Sequence, residues 1–144
     1  MSLFSVLSIG ASGMAAQRTR AELLVENLAN SETTRTPEGG PYRRKDVVFQ
    51  SAEVESPFSS VFDAVRHSAG GVAVADVVTD ASDPERRYMP GHPDADATGY
   101  VAFPNVHPAE DMVDLMGASR SYQANVAAIA AVKDMIQRSF DLLR

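Results

Sequence analysis

The chain has no cysteine, no tryptophan and no long unbroken apolar run. Without thiols it can form no disulfide, thiolate metal site or cysteine nucleophile, and the compartment stays open. No stretch reaches the roughly 20 apolar residues that a membrane-spanning helix needs. The start, MSLFSVLSIGASGMAA, is mildly apolar and ends in small residues. It lacks a basic n-region, and Ser2, Ser5, Ser8 and Ser12 with Gly10 break up any hydrophobic core. A cleaved signal peptide is therefore not expected.

An excess of basic residues is also missing. The chain carries 13 Lys and Arg against 19 Asp and Glu, which argues against a nucleic-acid binder with its basic stripe. The imbalance is concentrated in residues 36–104, with six basic and eleven acidic groups, so the two ends are near neutral, as packing surfaces would be. Motifs of catalysis are absent: SIGASG has the wrong spacing for G-x-S-x-G, and there is no H-E-x-x-H, phosphate loop or dinucleotide fingerprint. His67, His92 and His107 each sit in a loop-like context and read as solvated or capping residues. No enzymatic activity, cofactor, metal or small-molecule substrate is expected.

What the chain does have is helical periodicity at both ends. From Pro108 to Leu143 only Gly117 interrupts a helical run, within which Leu115, Tyr122, Ile129, Ile136 and Leu143 recur every seven residues. A straight helix drifts against a seven-residue repeat, so the stripe suits a partner helix that coils around it. Pro108 fits a first helical position, and Glu110 and Asp111 suit the positive end of the dipole. Arg138 and Arg144 sit towards its negative end. A weaker stripe at the other end joins Leu7, Met14, Ala21 and Leu28, with Leu3 and Leu24 close to it. This helix is predicted over about Leu3 to Ala29, with Asn30 as a left-handed terminator. Gly10 and Gly13 each cost roughly 1 kcal/mol relative to Ala, so it should depend on packing. Two such ends predict a molecule that closes on itself by pairing them.

The middle reads as short strands and loops. After a Pro37, Gly39-Gly40 turn, residues 43–50 (RRKDVVFQ) form a candidate strand, followed by a serine-rich stretch at Ser56, Ser59 and Ser60. Residues 71–79 (GVAVADVVT) alternate and are β-branched, the clearest strand of the chain. Pro84, Pro90, Gly91 and Pro93 predict a loop before a last strand at residues 100–103. The Arg43-Arg44-Lys45 cluster reads as an exposed edge strand guarded by charge. Asp94, Asp96, Thr98 and Gly99 match the first half of a helix–loop–helix calcium loop. The second half fails, because position twelve is Asn105 and prolines flank the loop. The expected fold is mainly α with a small β region: N- and C-terminal helices paired as a coiled coil around an intervening β-rich segment. The divisions are residues 1–35, 36–104 and 105–144. Periodicity alone says that the helices have a helix partner; the pattern as a whole favours an assembly or scaffold protein, with a soluble calcium- or ligand-binding module in residues 42–104 as the alternative.

Particular residues say more. SGMAAQRTRAELLVENLANSETT resembles the N-terminal signature of bacterial flagellar axial proteins, carried here by Gly13, Asn27 and Asn30. Where that signature pairs asparagines, this chain has Glu26-Asn27. PYRRKDVVFQ, GVAVADVV, YMPGHPDADATGYVAFPNV and EDMVDLMGASRSYQANV, in this order, resemble the proximal rod proteins of the basal body, FlgC type, over essentially the whole chain. The matching positions include Gly99, Tyr100, Asn105, Ser121, Tyr122, Gln123 and Asn125. The resemblance implies a structural subunit without cofactor. Its implied partners are other rod subunits, copies of itself, the rod-base adaptor and membrane ring, and the flagellar type III export apparatus. It places the chain in the rod, in the periplasmic space, exported without a cleaved signal. It also implies that Leu115, Tyr122, Ile129, Ile136 and Leu143 face Met14, Ala21 and Leu28.

Overall fold

The computed structural model describes residues 3–53 and 70–141. Their order is α1 (Leu3–Ala29), β1 (Lys45–Glu53), β2 (Gly70–Thr79), β3 (Glu85–Tyr88), β4 (Tyr100–Phe103) and α2 (Pro108–Asp141). Ser56, Ser59, Ser60, His67, Leu143 and Arg144, singled out from the sequence, lie outside the described residues.

The two helices differ in what starts and stops them. Pro108 opens α2, Glu110 and Asp111 occupy its first turn and Arg138 its last, each suited to the local end of the dipole. At 1.5 Å per residue α2 is about 51 Å long, several times the usual globular helix. α1 has no acid in its first turn and no base in its last, and it carries Gly10 and Gly13. It is held by packing instead. The helices run antiparallel: Gly10 lies against Ile129, Gly13 against Asn125, and Arg20 pairs with Asp114 at 3.3 Å. A methyl group on Gly10 would stand 3.0 Å from Ile129 Cγ1, and one on Gly13 3.1 Å from Asn125 Nδ2. The small residues therefore permit a close approach that Ala would already strain.

α1 ends otherwise than expected. Asn30 does not take a left-handed conformation; among the described residues only Gly39, Gly40 and Gly99 have positive φ. Its backbone N–H donates to Glu26 O, its Nδ2 donates to the same carbonyl at 2.9 Å, and Thr33 Oγ1 donates to its Oδ1. Satisfying the last carbonyls from a side chain removes the need for a left-handed cap. Beyond it, Gly39 and Gly40 close a turn in which Thr36 N–H donates to Gly40 O at 2.9 Å.

Two small antiparallel sheets lie between the helices in sequence. β1 pairs with β2, matching Val47 with Val77 and Phe49 with Val74, with a register shift between Val48 and Phe49. β3 pairs with β4, matching Glu85 with Phe103 and Tyr88 with Tyr100. β3 corrects the sequence-based loop. Its residues, Glu-Arg-Arg-Tyr, are all exposed and show no apolar alternation. Its partner strand supplies the hydrogen bonds, while Arg87 stacks 4.8 Å over the Phe103 ring and Tyr88 meets Tyr100 edge-on. Core residues concentrate at the passage from β4 into α2, where Val101, Phe103, Pro104 and Val106 are buried, together with Tyr42, Leu24, Ala16, Ala118 and Val132.

Candidate functional site

The most enclosed polar group lies at the end of α1. Asn27 is 0% exposed, and its amide acts as a piece of neighbouring strand. Its Nδ2 donates to Lys45 O at 2.8 Å, and its Oδ1 accepts from Lys45 N–H and from the Tyr42 hydroxyl, each at 2.9 Å. The first residue of β1 is thus paired on one side by a helix side chain. Burial above all, then the nearby Glu26 and Asp111, pushes the Tyr42 hydroxyl up to about 12, so it remains a donor. Glu26, where the chain departs from the axial signature, forms an ion pair with Lys45 Nζ.

A second buried group opens α2. Asp111 is 1% exposed, and Arg44 Nη2 stands 3.0 Å from its Oδ1. The alignment falls short of a hydrogen bond, so both carboxylate oxygens lack a donor. Burial raises the Asp111 pKa; Arg44 opposes that, and Asp46, Asp114 and Glu110 add to it. Arg44 also reaches Asp46 at 3.3 Å. The basic cluster is therefore not a simple charged edge: Arg44 and Lys45 tie β1 to α2 and α1 respectively, and only Arg43 reaches outward, to the Asp80 carbonyl. Beside this junction, Leu23, Leu24, Val47 and Phe49 with Arg20, Lys45, Asp46 and Asp114 line a cleft of about 240 Å³.

The rod-motif residues of the loop before α2 shape a turn. Gly99 has φ +83°, a backbone conformation that favours glycine, and a Cβ there would stand 2.9 Å from Cε2 of the exposed Tyr88 ring, which would have to shift. Asp96 Oδ1 accepts from Thr98 N–H, Thr98 Oγ1 and Tyr100 N–H. Those bonds, Thr98 first, hold its pKa below the usual carboxylate range. Asp94 accepts from Thr34 Oγ1 and faces Arg35. The acids of the calcium-like fragment are thus engaged by their own neighbours, and among the described residues no group of three His, Cys, Asp or Glu is placed to hold a metal. Asn105 Nδ2 donates to Ser82 Oγ at 3.1 Å, fastening the approach to α2 onto the turn after β2.

On α2 the less exposed stripe holds Asp111, Leu115, Ala118, Asn125, Ile129, Val132 and Ile136, three, four or seven residues apart, and Tyr122, which falls on the same spacing, is exposed. Leu115, Ile129 and Ile136 are half-buried and Tyr122 is 40% exposed. The interleaved Ala118 and Val132, both buried, escaped the sequence reading. They sit on a second seven-residue repeat with Asp111 and Asn125, and its mixed polarity hides it from an apolar search. Met14, Ala21 and Leu28 are half-buried, whereas the fully buried positions of α1 are Gly10, Ala16, Leu24 and Asn27. Asn125 Nδ2 donates to Ser121 O, and Ser121 and Gln123 are exposed.

The remaining faces of α2 are bare. Met112, Val113, Met116, Val126, Met135 and Phe140 are exposed, Val113 at 62% and Phe140 at 67%. Val48, Val72, Val74, Val77 and Val78 of the first sheet are exposed as well. These side chains leave much apolar surface uncovered in the single chain. No helix among the described residues is long and apolar enough to cross a membrane.

Known proteins share this arrangement of sequence. Residues 97–142 match the family model described as flagellar basal body rod FlgEFG protein C-terminal. The chain is 39% identical to the flagellar basal-body rod protein FlgC of Borreliella burgdorferi, over 100% of this chain and 99% of the relative. It is 43% identical to that of Bacillus subtilis, over 99% of each. With that of Salmonella typhimurium it shares 41% identity over 99% of this chain and 98% of the relative.

Proposed function

The chain belongs to the FlgC family of flagellar basal-body rod proteins, and from that premise we propose that it is a structural subunit of the proximal rod. It assembles with other rod subunits and with copies of itself into the shaft that transmits torque between the membrane ring and the distal rod and hook. The observation that carries this reading is the bare surface of α2. One side is occupied by α1, while Met112, Val113, Met116, Met135 and Phe140 face solvent along about 51 Å of helix. Burying a side chain of this kind contributes about 1.5–3 kcal/mol, so a lone subunit leaves several such contributions unrealised.

In this reading α1 and α2 form a coiled-coil inner domain (residues 1–35 and 105–144), and residues 36–104 form an outer segment touching neighbouring subunits. Axial helices with interlocked side chains resist shear because close-packed interfaces deform little. The rod-base adaptor and membrane ring are the partners at one end. The subunit reaches the periplasmic rod through the flagellar type III export apparatus, without a cleaved signal. Its role is mechanical and requires no cofactor.

The test is electron microscopy of hook–basal bodies from a strain lacking the gene, beside the complemented strain. Rings without rod, hook or filament, restored by complementation, are expected. Complete basal bodies in the deletion strain overturn the assignment.

A further inference from the structure

We infer that the register of α1 against α2 is set by two polar positions, Asp111 with Arg44 and Asn125 on Gly13, rather than by the apolar stripe. The stripe cannot choose a register alone. Leu115, Tyr122, Ile129 and Ile136 are spaced every seven residues, and where Ile129 meets α1 the surface is small, with Gly10 against it and Gly13 nearly one turn on. Sliding α2 by one heptad, about 10.5 Å, would bring Tyr122 or Ile136 onto Gly10 and leave an apolar side chain in every stripe position it overlaps.

The interleaved repeat is different, because Asp111, Ala118, Asn125 and Val132 are chemically unlike one another. In the observed register Nδ2, Cγ and Oδ1 of Asn125 all lie 3.1–3.3 Å from the place of a Gly13 Cβ, so the amide rests flat on the glycine. A slide puts Ala118 or Val132 there and takes Asn125, whose Nδ2 stays bonded to Ser121 O of its own helix, off the glycine that accommodates it. The same slide withdraws Asp111 from Arg44, separating a 1%-exposed carboxylate from the guanidinium 3.0 Å away. Neither Asp111 oxygen has a hydrogen-bond donor, so the pair adds little to stability for the desolvation it requires. What it does add is a penalty on every alternative register, the best-attested role of a polar residue buried in a helix seam.

The absence of cysteine makes the test clean, since any disulfide must be the one introduced. Gly10→Cys is combined in the purified full-length chain with Ile129→Cys, Tyr122→Cys or Ile136→Cys, and oxidation rates are followed by gel and mass spectrometry. With Arg44 and Asp111 in place, the 10–129 bond should form at least roughly tenfold faster than either other pair. In an Arg44→Met/Asp111→Leu background a 10–122 or 10–136 bond should form at a rate comparable to 10–129, with the urea midpoint unchanged or raised. Arg44→Lys, which keeps the charge, should retain the native preference. Asn125→Leu is the second route, expected to admit the slipped bonds even if the double variant does not fold. Slipped bonds that stay rare in every folded variant overturn the inference, as does their equal formation in the parent background or absence of the 10–129 bond there. None of these outcomes depends on whether the chain enters a rod.

Discussion

The two ends of the helix pair are built on opposite principles. Where α1 finishes and α2 begins, the interface is polar and enclosed: Asn27 and Asp111 are 0% and 1% exposed, and Arg44, Lys45 and Tyr42 converge on them. At the far end nothing polar is buried among the described residues, α1 offers Gly10 and Gly13, and Met135 and Phe140 of α2 face solvent. The difference separates two tasks. The junction joins both helices to β1 through enclosed polar contacts, and the far end lays the small residues of α1 under α2 while the outer face of α2 stays exposed.

The largest loss of stability is expected at Asn27. Asn27→Ala leaves Lys45 N–H, Lys45 O and the Tyr42 hydroxyl without partners, a loss of about 3 kcal/mol at roughly 1 kcal/mol per bond. Urea unfolding should show a much lower midpoint with an unchanged slope, and an unaltered midpoint would refute the role assigned to this amide. The far end answers to bulk. Gly10→Leu must displace Ile129 and should destabilise by about 2 kcal/mol, read in the same experiment. A gain in stability there would mean that the close approach is not needed.

A third perturbation concerns pH. Because burial raises the Asp111 pKa, the folded state holds that proton more tightly than the unfolded chain does. Its contribution to stability is therefore fully present below the ordinary carboxylate value of about 3.9 and is lost as pH rises through the raised folded value. Asp80, Glu85 and Asp96, with lowered values, work in the opposite direction on the acid side. Urea midpoints of parent and Asp111→Asn across this range should show the parent losing ground as pH rises; parallel curves would remove Asp111 as the cause. The smallest effect on folding belongs to Phe140→Ser, within about 0.5 kcal/mol because the ring is exposed. If the far end is an assembly surface, motility on soft agar should fall all the same.

Legibility in the sequence followed how local each signal was. α1 is observed over Leu3–Ala29 and the last strand over Tyr100–Phe103, where the patterns placed them. Pro108 and the acids after it marked the start of α2. β3 was hidden because its four residues gain strand structure only from pairing with β4. Asn30 looked like a left-handed cap because Asn often is one, and only its bond to Glu26 O shows another solution. Arg44 looked like surface charge, since nothing in the neighbourhood of residue 44 reveals a carboxylate 67 positions later in the chain.

The amino-acid sequence by itself determined both helices, every strand but β3, and the family: periodicity, proline and glycine placement, and motif order act through neighbouring residues and can be read along one dimension. Only the tertiary structure decided which residues meet. A seven-residue stripe is compatible with several registers, and on α1 Gly10, Ala16, Leu24 and Asn27 are buried while Leu7, Met14, Ala21 and Leu28 are half-buried. We place the choice with Asp111 beside Arg44 and Asn125 on Gly13, as Asn27 with Lys45 fixes β1 on α1. Their energies depend on desolvation and on the distance between distant parts of the chain, which the order of letters does not contain.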